Sequence, residues 1–149
     1  RSLFNAGLDS ALQAAQRHNT TLALLFLDVN DFKGINDGHG HAVGDRLLCV
    51  IARRLERCVR ESDLVARMGG DEFTVLLTDM QSQEAVYGIV AQILAVMAEP
   101  LGAEFYGVKM PSCSVGVAFY PADGEDADTL LSHADSDMYR IKRQRITVK

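Results

Sequence analysis

Basic residues are the minority charge in this 149-residue chain: 15 Lys and Arg stand against 20 Asp and Glu, a formal net charge of -5. Aromatic residues are also scarce, at 7%. Together these exclude the basic stripe that a nucleic-acid surface needs, so no nucleic-acid partner is expected. A nucleotide handled by so acidic a domain would need metal ions to offset its phosphate charge. No run of about eighteen apolar residues occurs, so no segment reads as a membrane-spanning helix, and no signal peptide is visible. The cysteines are Cys49, Cys58 and Cys113, an odd set with no C-x-x-C pair. They read as small core residues of a reduced, cytoplasmic protein. No G-x-x-x-x-G-K-S/T is present, which excludes a P-loop enzyme, and no serine or cysteine stands in a recognisable nucleophile context.

What is present suits one globular domain. The chain is 48% hydrophobic and 23% charged, and residues 1–149 read as a single unit. Its abrupt start at Arg1, in helix-like sequence, leads us to expect a piece of a longer multidomain protein, one that could carry a membrane anchor elsewhere. There are no internal repeats and no low-complexity linkers.

Hydrophobic periodicity sets out the elements. Phe4, Leu8, Leu12 and Ala15 predict a helix over 2–18. The continuous apolar run TLALLFL, 21–27, predicts a buried central strand. A polar loop, DVNDFKGINDGHGHAVGD, follows, and Leu47, Leu48, Ile51, Leu55 and Val59 mark the next helix. Strands over 63–68 and 73–77 flank Gly69 and Gly70 as a hairpin. A helix runs through Val86, Ile93 and Met97 to Pro100. A short edge strand is expected over 104–109, a further strand over 112–120, and a last helix over 128–142. The order α-β-α-β-β-α-β-β-α contains the split βαβ arrangement of ferredoxin-like α+β folds, with a mostly antiparallel sheet flanked by helices.

The chemistry gathers at strand ends. Asp28 directly follows the buried strand, and Asp71 and Glu72 sit at the hairpin. In a ferredoxin-like sheet these elements are neighbours, so the carboxylates can converge at one edge. Converging carboxylates suit a hard divalent cation such as Mg²⁺ (or Mn²⁺), which takes oxygen ligands and leaves positions for phosphates. Successive strand residues face opposite sides, so one of Asp71 and Glu72 should meet Asp28 and the other should not. Read alone, GG followed by acids is also an ordinary solvated turn. An EF-hand counted from Asp28 fails, because Phe32 and Lys33 fill its fifth and sixth positions. A zinc site around His39 and His41 lacks further ligands.

The segment GGDEF, Gly69–Phe73, resembles the signature of the GGDEF domain family, the diguanylate cyclases of bacterial signalling. The resemblance extends through LDVNDFKGINDGHGHAVGDRLL (27–48), SVGVAFYPADGED and HADSDMYRIK (133–142), in order and at the family's spacing. It implies a palm-like fold related to nucleotidyl cyclase and polymerase domains. It also implies a reaction: two GTP molecules on two facing subunits, a homodimer, condense to cyclic di-GMP (c-di-GMP) and two pyrophosphates. By position, Asp28, Asp71 and the backbone carbonyl of Val29 match the metal ligands. Glu72 is similar to the acid held to help deprotonate the 3′-hydroxyl, or to make a second metal contact. Gly69 and Gly70 let the backbone pass close to the nucleotide. Asn36 and Asp45 match the guanine readers, the amides around Phe32 and Lys33 the phosphate cradle, and Lys142 a lysine reaching the terminal phosphates. Outside that context Asn36 reads as a turn residue, Asp45 as a helix cap and Lys142 as a solvated helix residue. Arg60 and Asp63, in RESD, match an R-x-x-D inhibitory site for c-di-GMP, and otherwise read as a helix-end salt bridge.

Two departures stand out. Asn30 replaces the second Asp of the family's D-x-D, which should leave activity intact. Four residues after Lys142, Ile146 stands where the family carries arginine, so Arg143 or Arg145 would have to replace that phosphate contact. The resemblance therefore implies an active cyclase. The alternative is a silent GTP- or c-di-GMP-binding module that tunes a fused phosphodiesterase (EAL) domain, since YPADGEDADTLLSHAD resembles tandem members. A sensory domain is the other expected neighbour. A pure interaction domain is disfavoured, because it has no reason to keep these acids together.

Overall fold

The central strand β1 (Leu22–Val29) is buried at all eight positions, as its unbroken apolar run requires. In the computed structural model, which describes residues 2–147, β1 lies between two neighbours in a four-stranded sheet. β2 (Leu64–Gly69) and β3 (Glu72–Leu77) form the hairpin, and β4 (Cys113–Tyr120) lies on the far side of β1. The order is β2-β3-β1-β4 with every neighbouring pair antiparallel, as a ferredoxin-like sheet requires.

Alternation along β1 divides the core in two. Ala23, Leu25, Leu27 and Val29 face one cluster with Phe32, Leu47, Leu48, Ile51, Leu55, Ile93 and Met97. Those residues come from α2 (Phe32–His39), α3 (His41–Arg57) and α4 (Gln83–Met97). Leu22, Leu24 and Phe26 face the other cluster with Phe4, Leu8, Leu12, Leu130, Ala134 and Met138, from α1 (Ser2–His18) and α5 (Ala127–Thr147). Asp28 continues the second series and so turns toward α5.

Three expectations are corrected. Of the cysteines expected in the core, Cys58 is buried, but Cys49 is exposed and Cys113 is half-buried. The stretch expected as loop between β1 and the second helix instead holds α2 and the first turn of α3. Phe32 is the buried residue of α2 and Ile35 packs half-buried beside it, in a Gly-, Asn- and Asp-rich segment whose composition reads as loop. Gly44 explains how the two helices meet: a Cβ there would lie 1.9 Å from Asn36 Oδ1 and 3.1 Å from the Phe32 ring. The edge strand expected at 104–109 is absent. A short 3₁₀ turn, Ala103–Phe105, buries Phe105 in the core under the Arg46 guanidinium, and Gly107 then adopts φ 78°. β4 is thus an edge strand. Its N–H groups at Val117 and Phe119 donate to Asp137 (2.9 Å) and Asp123 (2.8 Å), which blunts the edge.

Buried Arg54 closes the end of α4. Its guanidinium donates to the carbonyls of Val96, Met97, Glu99 and Pro100 at 2.9–3.3 Å, adding to the Glu99 N–H that Val96 already accepts (3.2 Å) at this helix end.

Candidate active site

The last residues of β1 carry the site. Val29 N–H donates to the Asp71 carbonyl (3.1 Å), tying the strand end to the hairpin turn. Gly69 pairs with Glu72, leaving Gly70 and Asp71 as the loop, and Gly70 takes φ 50°. Arg67 Nε donates to the Gly70 carbonyl (2.8 Å) and braces this loop. No atom lies within 4 Å of a Cβ built at Gly69 or Gly70. The space above the hairpin is therefore open, and protein packing does not demand glycine there.

Glu72 is the cross-strand partner of Asp28, and such partners share a face of the sheet. Asp28 in turn acts on Asp71. The Asp71 carboxyl is pushed above the usual carboxylate range, first by burial and then by the negative charge of Asp28, with Lys142 pulling the other way. The expectation that only one of the two hairpin acids meets Asp28 is thus replaced by both lying on its side. Strand alternation does not carry across a turn that begins with a left-handed glycine.

Asp28 itself is buried. One carboxylate oxygen, Oδ2, is paired with Lys142 Nζ from α5, and the other, Oδ1, is buried without a partner. Among the described residues no group of three His, Cys, Asp or Glu side chains is placed to hold a metal. A pair of carboxylates with one unpartnered buried oxygen fits an ion that draws its remaining ligands from backbone carbonyls, water and phosphate, which is the habit of Mg²⁺. Val29 buries its side chain in the core, so only its backbone faces the site.

Sequence reasoning did not anticipate the role of Asn30. It is 2% exposed, donates from Nδ2 to Ser112 Oγ (3.0 Å), accepts from Ser114 Oγ (3.0 Å), and donates its backbone N–H to the Ser112 carbonyl (2.8 Å). An amide can both donate and accept, so this position fastens β1 to β4 without adding a third negative charge beside Asp28. Beside it opens a cavity of about 520 Å³ lined by Asp31, Ile35, Lys109, Met110 and Pro111, with Lys109 its only cationic residue.

The remaining candidates distribute as follows. Phe32 and Lys33 begin α2, whose cap residue Asp31 makes no side-chain capping bond. Uncapped first-turn amides are an anion site in waiting. The close approach of α2 and α3 sets Asn36 against Gly44, the residue before Asp45. Asp45 is exposed, and Asn36 Oδ1 is buried without a partner. Arg143 stacks on Tyr139 at 5.3 Å, while the side chains of Arg145 and Ile146 lie outside the described residues.

Asp63 differs from a ligand-ready acid. Its side chain is 1% exposed, and its oxygens accept from Arg60 N–H (2.8 Å), Thr78 N–H (3.0 Å) and Thr78 Oγ1 (3.3 Å). It holds the turn before β2 against the end of β3. Arg60 is 54% exposed and borders a cleft of about 340 Å³ with Glu56, Glu61 and Val65.

Comparison with known proteins shows the family and the fold. The family described as "Diguanylate cyclase, GGDEF domain" matches residues 1–147. Diguanylate cyclase TpbB of Pseudomonas aeruginosa is 43% identical over 144 residues, covering 97% of this chain and 33% of TpbB. The crystal structure of the TpbB GGDEF domain superposes with a TM-score of 0.93, covering 97% of this chain and 89% of that one. MucR of the same organism, named a bifunctional diguanylate cyclase/cyclic di-GMP phosphodiesterase, is 36% identical over 97% of this chain and 21% of its own length. The chain therefore spans about a third or less of these curated relatives.

Proposed function

The chain belongs to the GGDEF diguanylate cyclase domain family, and from that membership we propose that it condenses two GTP molecules into c-di-GMP across two facing copies of the domain. The observation that carries this reading is the half-satisfied Asp28 carboxylate beside Asp71 at the mouth of the hairpin. Asp28, Asp71 and the Val29 carbonyl would hold a divalent ion, Mg²⁺ or Mn²⁺. Bound there, such an ion supplies charge neutralisation at the α-phosphate and the leaving pyrophosphate.

The chain's own residues do the rest. Asn36 and Asp45 meet the guanine edge, the carboxylate accepting from N1–H and the exocyclic amine. The Phe32 and Lys33 amides and the Lys142 ammonium take phosphate oxygens. Glu72 takes the proton of the 3′-hydroxyl as that oxygen bonds to the α-phosphorus of the opposing GTP and pyrophosphate departs. GTP as substrate would put the domain in the cytoplasm. Fusion to a phosphodiesterase domain is proposed because the relative MucR is named a bifunctional cyclase and phosphodiesterase, and a sensory domain is proposed as the other neighbour.

Calorimetric titration of GTP tests this. We expect binding with Mg²⁺, and at least a tenfold weaker affinity with EDTA or in Asp28→Asn. Metal-independent binding of equal strength would overturn the assignment. Feedback by c-di-GMP is expected at Arg60, whose guanidinium offers charge-assisted bonds to a phosphodiester. Arg60→Ala should raise the half-inhibitory c-di-GMP concentration about tenfold, the size of one lost charged hydrogen bond. Unchanged inhibition would remove Arg60 from that role.

A second reading, a silent GTP- or c-di-GMP-binding module governing an adjacent phosphodiesterase domain, is favoured by one feature. Ile146 stands where the family's phosphate-binding arginine would be.

A further inference from the structure

We propose that Lys142 is a place-holder cation, which occupies the Asp28 carboxylate in the free domain and leaves it only when a triphosphate arrives to take the ammonium. The inference rests on the metal reading given above and extends it to the order of binding.

Three observations carry it. Lys142 Nζ is paired with Asp28 Oδ2, and this pair is largely enclosed: the Lys142 side chain is 28% exposed and that of Asp28 10%. Asp28 Oδ1 has no hydrogen-bond partner, so the carboxylate is only half engaged. Lys142 also acts on Asp71, offsetting part of the charge that the two acids impose on each other.

An ammonium so placed opposes a divalent ion twice. It holds one of the oxygens that the ion would use, and it repels the ion as a like charge in a site of reduced dielectric. A bare metal therefore meets a closed site. A triphosphate changes the balance, because it offers the ammonium another anion and brings negative charge to the ion. Metal and nucleotide should then bind with positive coupling, each raising the affinity of the other by the same factor. The domain would thereby avoid filling its site with metal alone, which would leave Lys142 without its carboxylate.

The test counts Mn²⁺ bound to the protein from the electron paramagnetic resonance of the free ion. It is run without nucleotide and with 3′-deoxy-GTP, which lacks the attacking hydroxyl. In Lys142→Met we expect nucleotide-free Mn²⁺ affinity to rise about tenfold and the Mn²⁺–nucleotide coupling to fall by a similar factor. Lys142→Gln, which keeps a polar head without the charge, should behave alike. Asp28→Asn should lose Mn²⁺ binding in every background. If Lys142→Met and Lys142→Gln bind Mn²⁺ no more tightly than the wild type while Asp28→Asn still loses it, the place-holder role is overturned and the metal site stands. If Asp28→Asn binds Mn²⁺ as well as the wild type, the metal reading itself falls, and this inference with it.

Discussion

Asp71→Asn is expected to lower c-di-GMP formation by about a thousandfold or more while making the nucleotide-free domain more stable at neutral pH. A thousandfold corresponds to about 4 kcal/mol of lost transition-state stabilisation, within the range expected for a bound metal. The opposite sign for stability follows from the carboxyl's environment. Burial and the charge of Asp28 raise the Asp71 carboxyl above its unfolded value. A group raised in this way contributes its full stability below the unfolded pKa and loses it as the pH rises through the folded one. At neutral pH the ionised Asp71 therefore costs stability, and asparagine removes that cost. Thermal unfolding should show a higher melting temperature for Asp71→Asn at pH 7. The advantage should shrink as the pH falls through the raised Asp71 pKa, where that carboxyl too becomes neutral. A variant that is inactive and also less stable at neutral pH would show that Asp71 serves the fold rather than the site.

Gly116→Ala should be the most damaging small substitution away from the site. A Cβ on Gly116 would lie 2.2 Å from the Ala134 carbonyl and from Met138 N, and 2.7 Å from Met138 Cα. These are backbone atoms of α5 and cannot move aside singly, so the whole helix must lift from β4. Overpacking of this kind costs about 3 kcal/mol, or roughly 10 °C in melting temperature for a domain of this size. The displacement would also pull at Asp137, whose carboxylate holds Val117 N–H, and at Lys142 one turn further along α5. Gly88→Ala is the matched control: it lies in α4 with no atom within 4 Å of the added Cβ, and should be neutral or slightly stabilising. Equal melting temperatures for the two alanine variants would refute the close contact between α5 and β4.

The elements that could be read in the sequence were those with a strong period. β1 and the outer helices announce themselves by apolar spacing, and the hairpin by two glycines between β-forming runs. α2 does not, because its apolar residues are few and its glycines, asparagine and aspartate resemble loop composition. The segment expected as an edge strand at 104–109 instead turns at Ala103–Phe105, where Phe105 serves as a plug for the core. In the site, Asp28 and Asp71 were legible from their positions at strand ends. Their shared lysine was not, because 114 residues separate Lys142 from Asp28. Asn30 looked like a departure from a motif, and its reason lies in Ser112 and Ser114, far along the chain. Asp63 read either as a ligand acid or as half of a helix-end salt bridge with Arg60; the fold makes that ion pair and also ties the carboxylate to Thr78.

The most direct test of the account is chromatography of a reaction containing GTP, Mg²⁺ and the domain at high concentration, with a parallel sample fused to a dimerising segment. The account predicts that GTP is consumed with release of c-di-GMP and two pyrophosphates per product, faster in the fused sample. Unconsumed GTP in both samples, from protein that still binds GTP with Mg²⁺, would contradict the cyclase reading and leave the regulatory module in its place.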